Sequence, residues 1–148
     1  MIIAIGCDHG GIVLKEACIR AVKDYGAKVI DLGTYSSDPV DYPDYALKVA
    51  LAVKSGEADK GILLCGTGIG ISIAANKVKG IRCAHVTNAF CAQMAAEHNN
   101  ANIIAMGGRI STPEEAYEMV TAYLNAKFAG GRHAKRVDKI TAIEEGNY

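Results

Sequence analysis

The sequence lacks an excess of charge of either sign. Its 16 Lys and Arg residues balance 16 Asp and Glu residues, which gives a formal net charge of +0 at pH 7. A chain without net charge has no overall field to attract a polyanion, so binding to nucleic acid or to a membrane surface is not expected. The sequence also has no apolar run of the length that spans a bilayer. We therefore expect neither nucleic acid nor a membrane among its partners.

Two further absences bear on where the protein works. Only a short apolar run follows Met1 and no basic segment precedes it, so the amino terminus does not have the pattern of a secretory signal. The cysteines are odd in number and form no Cys-x-x-Cys pair. Free thiols are typical of a reducing compartment, and we expect a cytoplasmic protein without disulfides. The cysteines are Cys7, Cys18, Cys65, Cys83 and Cys91.

The sequence does contain the alternation of strand-like and helix-like segments that is typical of an α/β protein. Its 148 residues, 50% of them hydrophobic, fit a single domain over residues 1–148 that needs no disulfide or metal to fold. Short runs rich in β-forming residues alternate with longer segments of helical periodicity, which predicts βαβ units around a parallel sheet buried on both faces. The predicted strands span residues 2–7, 28–32, 61–65, 81–86 and 102–106.

The predicted helices have start and stop signals of their own. Apolar residues recur at helical spacing after the first strand until Gly26, which is suited to end a helix. Pro43 fits the first turn of the next helix. Thr112, followed by Pro113 and by Glu115 at the third position, predicts a helix that begins with a capping box.

In an open parallel sheet, ligands bind beyond the carboxyl ends of the strands, so the residues that follow strands are candidates for a site. The first strand is followed by Asp8, His9 and two glycines, a tight turn that places a carboxylate and an imidazole at this edge. The alternative is that Asp8 only caps the following helix and that His9 is solvated. The irregular segment 33–42 is a candidate wall of the same site, because it is rich in turn-forming residues.

The third strand is followed by the most informative segment, Cys65-Gly66-Thr67-Gly68-Ile69-Gly70-Ile71-Ser72. Its alternating glycines allow successive backbone N–H groups to converge on an anion, and the following helix adds its positive end. The segment lacks the Gly-Lys-Ser/Thr of a P-loop, the ribose-binding acid of a dinucleotide site and the arginine of a phosphatase loop. Cys65 is a candidate base or nucleophile here. The alternative is a buried, inert thiol, which we expect of the other four cysteines.

Polar residues near the fifth predicted strand extend the candidate site. His98 and Asn99 end the helix that precedes this strand, and we expect the imidazole and the amide to reach into the site. The alternative for His98 is an interaction with the dipole at the end of its helix. Arg109 follows the fifth strand, where an anionic group of a substrate would lie.

The last predicted helix spans residues 132–145. Arg132 and Arg136 are four positions apart and share one face, so they are suited to grip one phosphate, although such a basic segment is also typical of a solvated face. The apolar residues of this helix form only a thin stripe, and we expect it to dock on another subunit. That stripe consists of Val137, Ile140 and Ile143.

Four of these candidates are also residue types that bind metals. Asp8, His9, Cys65 and His98 come singly from separate loops, without the spacing of ligand pairs. We therefore predict no metal site and no cofactor.

Taken together, these motifs resemble those of the RpiB/LacAB sugar-phosphate isomerase family, and the resemblance covers essentially the whole chain. It implies a Rossmann-like, three-layer α/β/α sandwich with a five-stranded parallel sheet and a C-terminal helix. It also implies a homodimer or a dimer of dimers with active sites shared between subunits. The matching segments are residues 6–11, 41–43, 65–77, 98–99 and 130–136.

The resemblance further implies the interconversion of D-ribose 5-phosphate and D-ribulose 5-phosphate without a metal. By position, Cys65 matches the base that moves a proton between C2 and C1 through a cis-enediolate, and His98 matches the residue credited with ring opening. The matching substrate contacts are Asp8, His9, Gly66, Thr67, Gly68, Ile69, Gly70 and Asn99, and the matching phosphate contacts are Arg109, Arg132 and Arg136, with help from His9. Two alternatives stay open, an isomerase of a six-carbon sugar phosphate such as allose or galactose 6-phosphate and a noncatalytic sugar-phosphate-binding module.

Overall fold

The computed structural model describes all 148 residues, in which five strands alternate with helices. The strands are β1 (Ile2–Cys7), β2 (Lys28–Asp31), β3 (Lys60–Cys65), β4 (Cys83–His85) and β5 (Ile103–Gly107). The helices are α1 (Lys15–Tyr25), α2 (Tyr42–Ser55), α3 (Ile69–Ala75), α4 (Ala89–Glu97), α5 (Pro113–Asn125) and α6 (Arg132–Glu144). A short 3-10 helix, Ile12–Leu14, leads into α1.

The five strands form one sheet in the order β2-β1-β3-β5-β4, and every pair in it is parallel. All five predicted strands are present, with ends that differ from the prediction by at most two residues. The largest difference is in β4, which is only Cys83–His85 where the prediction was 81–86. β4 is an edge strand that pairs only with β5, so fewer of its residues form the backbone hydrogen bonds that define a strand.

Alternate residues of each central strand face opposite sides of the sheet, as the two-residue period of a strand requires. In β3, Ile62 and Leu64 belong to the apolar cluster on one side, whereas Leu63 and Cys65 belong to the cluster on the other. The first side is covered by α1, α4 and α5, and the second by α2 and α3. This arrangement confirms the predicted α/β fold with a sheet buried on both faces.

Two helix ends follow the local signals in the sequence. The Thr112 hydroxyl accepts from the N–H of Glu115, and the Glu115 carboxylate accepts from the N–H of Thr112, which together form the predicted capping box of α5. α1 ends at Gly26, whose φ of 98° is in the left-handed region. These ends set the lengths of two helices that pack against each other on one face of the sheet.

The last helix, α6, lies outside the two helical layers. Val137 is its one buried residue, whereas Ile140 and Ile143 are 46% and 61% exposed. The carboxylate of Glu144 accepts from the N–H of Gly80, which ties the end of the helix to the loop before β4. The thin apolar stripe predicted for this helix is therefore seen, and it is largely open at its carboxyl end. None of the helices combines the length and the apolar character needed to cross a membrane.

Candidate active site

The carboxyl ends of β1, β3 and β5 lie side by side, because Cys7 pairs with Leu64 and Cys65 pairs with Gly107. The loops that follow these strands pack closely. A Cβ on Gly107 would lie 2.4 Å from the carbonyl carbon of Thr67, so the chain there has room only for glycine. Between the loops lies a cavity of about 470 Å³, lined by Asp8, His9, Gly10, Tyr42, Cys65, Gly66, Thr67, Ile69, Gly70 and Arg109.

Cys65 is the last residue of β3 and is 4% exposed. Its Sγ accepts a hydrogen bond from the N–H of Gly68 at 3.0 Å. The sulfur is thus the acceptor of this bond, and the amide is the donor. The cysteine predicted as a base or nucleophile thus lies in the cavity with a donor already directed at its sulfur.

Three of the other cysteines have different surroundings, with Cys7 and Cys18 buried and Cys83 partly buried. Burial raises the pKa of Cys7 to about 11, and it raises the pKa of Cys18 and of Cys83 to about 12. Such thiols stay protonated at neutral pH, which agrees with the inert role predicted for them. Cys83 and Cys91 differ from that prediction in their burial, because Cys83 is only partly buried and Cys91 is exposed.

The loop after Cys65 leaves several backbone donors without a partner in the protein. The amides of Thr67 and Gly66 donate to no carbonyl or side chain, and the same is true of Gly70 in the first turn of α3. Gly68 makes the turn possible, because its φ is +82° and a Cβ there would lie 2.8 Å from His85 Cδ2. These amides line the cavity as fixed donors that suit an anionic oxygen.

Asp8 and His9 have separate tasks in the first loop. Asp8 Oδ1 accepts from the N–H groups of Gly10 and Gly11, at 2.8 and 3.0 Å, so its carboxylate shapes the turn as the simpler interpretation expected. The ring of His9 lines the cavity, and its Nδ1 accepts from the N–H of Val40 at 3.2 Å. The segment before α2 therefore contacts the site, as its turn-forming composition indicated.

Arg109 follows β5 and lies over the glycine-rich loop. Its N–H donates to the carbonyl of Gly66 at 2.9 Å, and its guanidinium occupies the space beside Gly66, where a Cβ would lie 2.9 Å from Nη1. This places a permanent positive charge in the cavity that also contains Cys65. The prediction that Arg109 faces a substrate anion stays a prediction, now with a position that fits it.

Two residues that the sequence did not single out as site residues also belong to this region, although Tyr42 falls within the segment 33–42 predicted as a wall of the site. Tyr42 begins α2 and lines the cavity, and its phenol ring lies so close to Gly70 that a Cβ there would be 2.6 Å from Cζ. His85 ends β4, and its Nε2 lies 2.8 Å from the carbonyl oxygen of Thr67. A signal for His85 was available, because a polar residue at the carboxyl end of a parallel strand points toward the ligand-binding edge.

The remaining candidates lie at the opposite edge of the sheet. Because α4 runs antiparallel to the strands, His98 and Asn99 at its end lie at the amino end of β5, where the Arg82 guanidinium donates to the carbonyl of Asn99. The five residues of β5 are separated by four steps of about 3.3 Å, which puts roughly 13 Å between the two edges. Within one chain, His98 and Asn99 therefore do not reach the Cys65 cavity, although the sequence predicted that their side chains would reach into the site.

The start of α6 joins this second group. The rings of His98 and His133 stack with centroids 4.1 Å apart, which places Arg132 and Arg136 of the same helix at the amino edge. Burial, together with the charges of His98 and the two arginines, lowers the pKa of His133 below its usual value of 6.5. One chain thus divides the candidate residues into a Cys65 cavity and an amino-edge group of His98, Asn99, Arg132 and Arg136.

The chain matches the model of a protein family described as Ribose/Galactose Isomerase over residues 3–140. Ribose-5-phosphate isomerase B of Escherichia coli is 51% identical over 143 residues, which are 97% of this chain and 96% of that protein. The solved structure of Clostridium thermocellum ribose-5-phosphate isomerase B has a TM-score of 0.95 and 55% identity, with 100% of both chains covered. That of Mycoplasma genitalium ribose-5-phosphate isomerase B, with bound ribulose-5-phosphate, has a TM-score of 0.91 and 42% identity over 97% of this chain and 96% of that one.

Proposed function

The chain belongs to the ribose/galactose isomerase family of aldose–ketose isomerases, and we propose that it interconverts D-ribose 5-phosphate and D-ribulose 5-phosphate. The observation that carries the proposal is the meeting of Cys65, unpartnered loop amides and Arg109 in one cavity. Relatives and solved structures named for ribose-5-phosphate isomerase B support the five-carbon substrate. The reaction belongs to the non-oxidative branch of the pentose phosphate pathway.

In this proposal Cys65 is the base. Isomerisation removes a proton from C2 of the open-chain aldose and returns one to C1, so a single group must reach two adjacent carbons. A thiolate at the end of a strand can reach both, and the N–H of Gly68 is directed at its sulfur. Residues 66–72 contain no carboxylate, so none of them could act as the base instead of Cys65.

The glycine-rich loop stabilises the charge that develops during the reaction. Proton removal from C2 gives a cis-enediolate, whose oxygen is more negative than that of the substrate. The amides of Gly66, Thr67 and Gly70 are fixed before the substrate arrives, so they stabilise this oxygen without reorganising. Asp8, Ile69 and the hydroxyl of Thr67 complete the walls that hold the sugar.

The phosphate and the ring-opening step need the amino-edge group. Arg109 lies in the Cys65 cavity, whereas His98, Asn99, Arg132 and Arg136 lie at the other edge of the same chain. We propose that a second copy supplies them, in a homodimer or a dimer of dimers with shared active sites. His98 of that copy transfers a proton to the ring oxygen, Asn99 contacts the sugar, and the arginines hold the phosphate together with His9.

The test is conversion of ribose 5-phosphate to ribulose 5-phosphate in the presence of a chelator, by the native chain and by Cys65→Ala, each at saturating substrate. We expect the variant to lose about 10²–10⁴-fold in kcat, the contribution typical of a general base. Calorimetry should show that Cys65→Ala still binds the sugar phosphate. Cys91→Ala, which removes an exposed thiol, is the matched control and should leave kcat unchanged.

The outcomes separate the parts of the proposal. Normal turnover by Cys65→Ala would show that another group is the base. A native chain that is inactive on ribose 5-phosphate but active on allose or galactose 6-phosphate would assign it to six-carbon substrates, which the family description also includes.

A further inference from the structure

A buried lysine beside the cavity has no role in the reaction described above. Lys15 opens α1 with a side chain that is only 9% exposed, and it is not among the residues that line the cavity. We propose that Lys15 is a positioning residue: it anchors the segment 33–41, whose amide at Val40 holds His9 with an Nε2–H presented to the cavity. The part of this inference that concerns the substrate rests on the proposed function, whereas the part that concerns His9 does not.

Lys15 fastens the beginning of the segment. Its ammonium lies 3.1 Å from both carboxylate oxygens of Asp31, the last residue of β2, and it also donates to the carbonyl of Thr34. A buried ammonium that is paired with a carboxylate stays in one geometry, because separating the two groups would leave a charge without its partner. The chain that leaves β2 is therefore fixed at two successive points by one side chain.

Neighbouring bonds extend this anchor. The N–H of Gly33 donates to Asp31 Oδ1 at 3.0 Å, and the hydroxyl of Tyr35 donates to the carbonyl of Asp31 at 2.8 Å. The Tyr35 ring also lies 4.7 Å from the Lys15 ammonium, within the range of a cation–π contact. The four residues from 36 to 39 are exposed, so the course of the segment is set mainly by its two ends.

The far end of the segment meets His9. The N–H of Val40 lies 3.2 Å from His9 Nδ1, just before α2 begins at Tyr42. A backbone N–H can only donate, so Nδ1 is the acceptor of this bond. In a neutral imidazole the proton is then on Nε2.

This tautomer decides what His9 offers a ligand. A ring with Nε2–H gives a hydrogen bond to an oxygen in the cavity and cannot take a proton at that atom. His9 is therefore a donor to an anionic or hydroxyl oxygen of the sugar phosphate, which leaves Cys65 as the base. The turn made by Asp8 fixes the backbone of His9, and the Val40 amide fixes the ring.

The direct test is the tautomer of His9 in the full chain without substrate. Two-bond ¹H–¹⁵N correlation spectra distinguish an Nε2–H ring from an Nδ1–H ring, and the spectrum of His9→Gln assigns the signal among the four histidines. We expect the Nε2–H form at pH 7.5 in the native protein. An Nδ1–H ring in the native protein would overturn the inference.

Two variants test the positioning separately. Lys15→Met keeps the length of the side chain but removes the ammonium, and Lys15→Arg restores a positive charge. We expect Lys15→Met to give a mixture of His9 tautomers, Lys15→Arg to recover most of the Nε2–H signal, and Lys23→Met, an exposed lysine of the same helix, to change nothing. If Lys15→Met does not fold, Val40→Pro removes the donor to His9 while Lys15 stays in place, and it should give the same mixture.

Kinetics then show whether the tautomer matters for the reaction. We expect Lys15→Met and Val40→Pro to raise KM for ribose 5-phosphate about tenfold while kcat changes less than about twofold, as for the loss of one hydrogen bond to the bound substrate. An unchanged His9 tautomer in every folded variant would refute the role of Lys15. A changed tautomer in a chain inactive on every sugar phosphate would uphold it and reject the proposed function instead.

Discussion

The imidazole rings of His98 and His133 lie almost parallel, with an interplanar angle of 9° and centroids 4.1 Å apart. Two rings in this arrangement cannot both carry a positive charge without repulsion, and Arg132 and Arg136 add to it. Burial and these charges together hold the pKa of His133 below 6.5. The His133 ring is therefore harder to protonate than a free imidazole, and it stacks on His98.

We predict from this that an NMR titration finds the pKa of His133 below 6.5 and that Arg136→Ala raises it, because a repelling charge is removed. Lys139→Ala, on the same helix, is the control and should leave the pKa of His133 unchanged. Since the pKa is lower in the folded than in the unfolded chain, this group stabilises the fold above pH 6.5 and the contribution is lost as the pH falls through the lowered value. A His133 pKa above 6.5 would contradict the stacked geometry.

The glycine-rich loop gives a second prediction, on Gly68. Gly68→Ala forces an L residue into φ +82° and also places a Cβ 2.8 Å from Met106 and His85. Gly80→Ala, at φ +87° with nothing within 4 Å, carries only the backbone strain, about 1–2 kcal/mol. We expect Gly68→Ala to lower the free energy of unfolding by more than Gly80→Ala does, and to reduce kcat at least about a hundredfold because the loop amides move. Equal effects of the two substitutions on stability and kcat would mean that the loop tolerates the displacement.

The capping box of α5 gives a third prediction, confined to stability. Glu115→Ala removes the acceptor for the N–H of Thr112, whereas Glu114→Ala removes an acidic residue of the same turn without that bond. Both variants lose a similar interaction with the helix dipole, so the difference between their free energies of unfolding isolates the contribution of the capping bond. In urea unfolding, we expect the free energy of unfolding of Glu115→Ala to be about 0.5–1 kcal/mol lower than that of Glu114→Ala. The kcat of both variants should be unchanged. A kinetic effect of Glu115→Ala would show that α5 couples to the cavity.

Much of this structure was predictable from local patterns. The five strands, the capping box at Thr112 and the placement of Cys65 and Asp8 at the carboxyl ends of strands all follow from rules that act within a few residues. The bond from Val40 to His9 was not predictable in this way, because it joins residues 31 positions apart through a segment of irregular structure.

The position of His98 shows the other limit of the sequence argument. Proximity to the fifth strand suggested a place in the site, but the direction of α4 puts His98 at the amino edge. Helix direction follows from the parallel crossover, so the position of His98 within one chain could have been predicted from the order of the elements.

The division of candidates between two edges leads to a final prediction on mixed subunits. Cys65→Ala alone and Arg136→Ala alone should each be nearly inactive, because each removes one part of every site. If sites are shared, a heterodimer of the two variants has one site with both substitutions and one with neither.

Co-refolding equal amounts should then restore about a quarter of native activity, since half the dimers are mixed and each has one intact site of two. Cys65→Ala mixed with Cys65→Ser is the matched control, because no intact site can form from these two variants. The activity of the mixture is measured with saturating ribose 5-phosphate, and the subunit composition is checked by native mass spectrometry. Mixed dimers that form without any gain in activity would show that Cys65 and Arg136 act in the same chain or not in the same site, which would refute the shared-site arrangement.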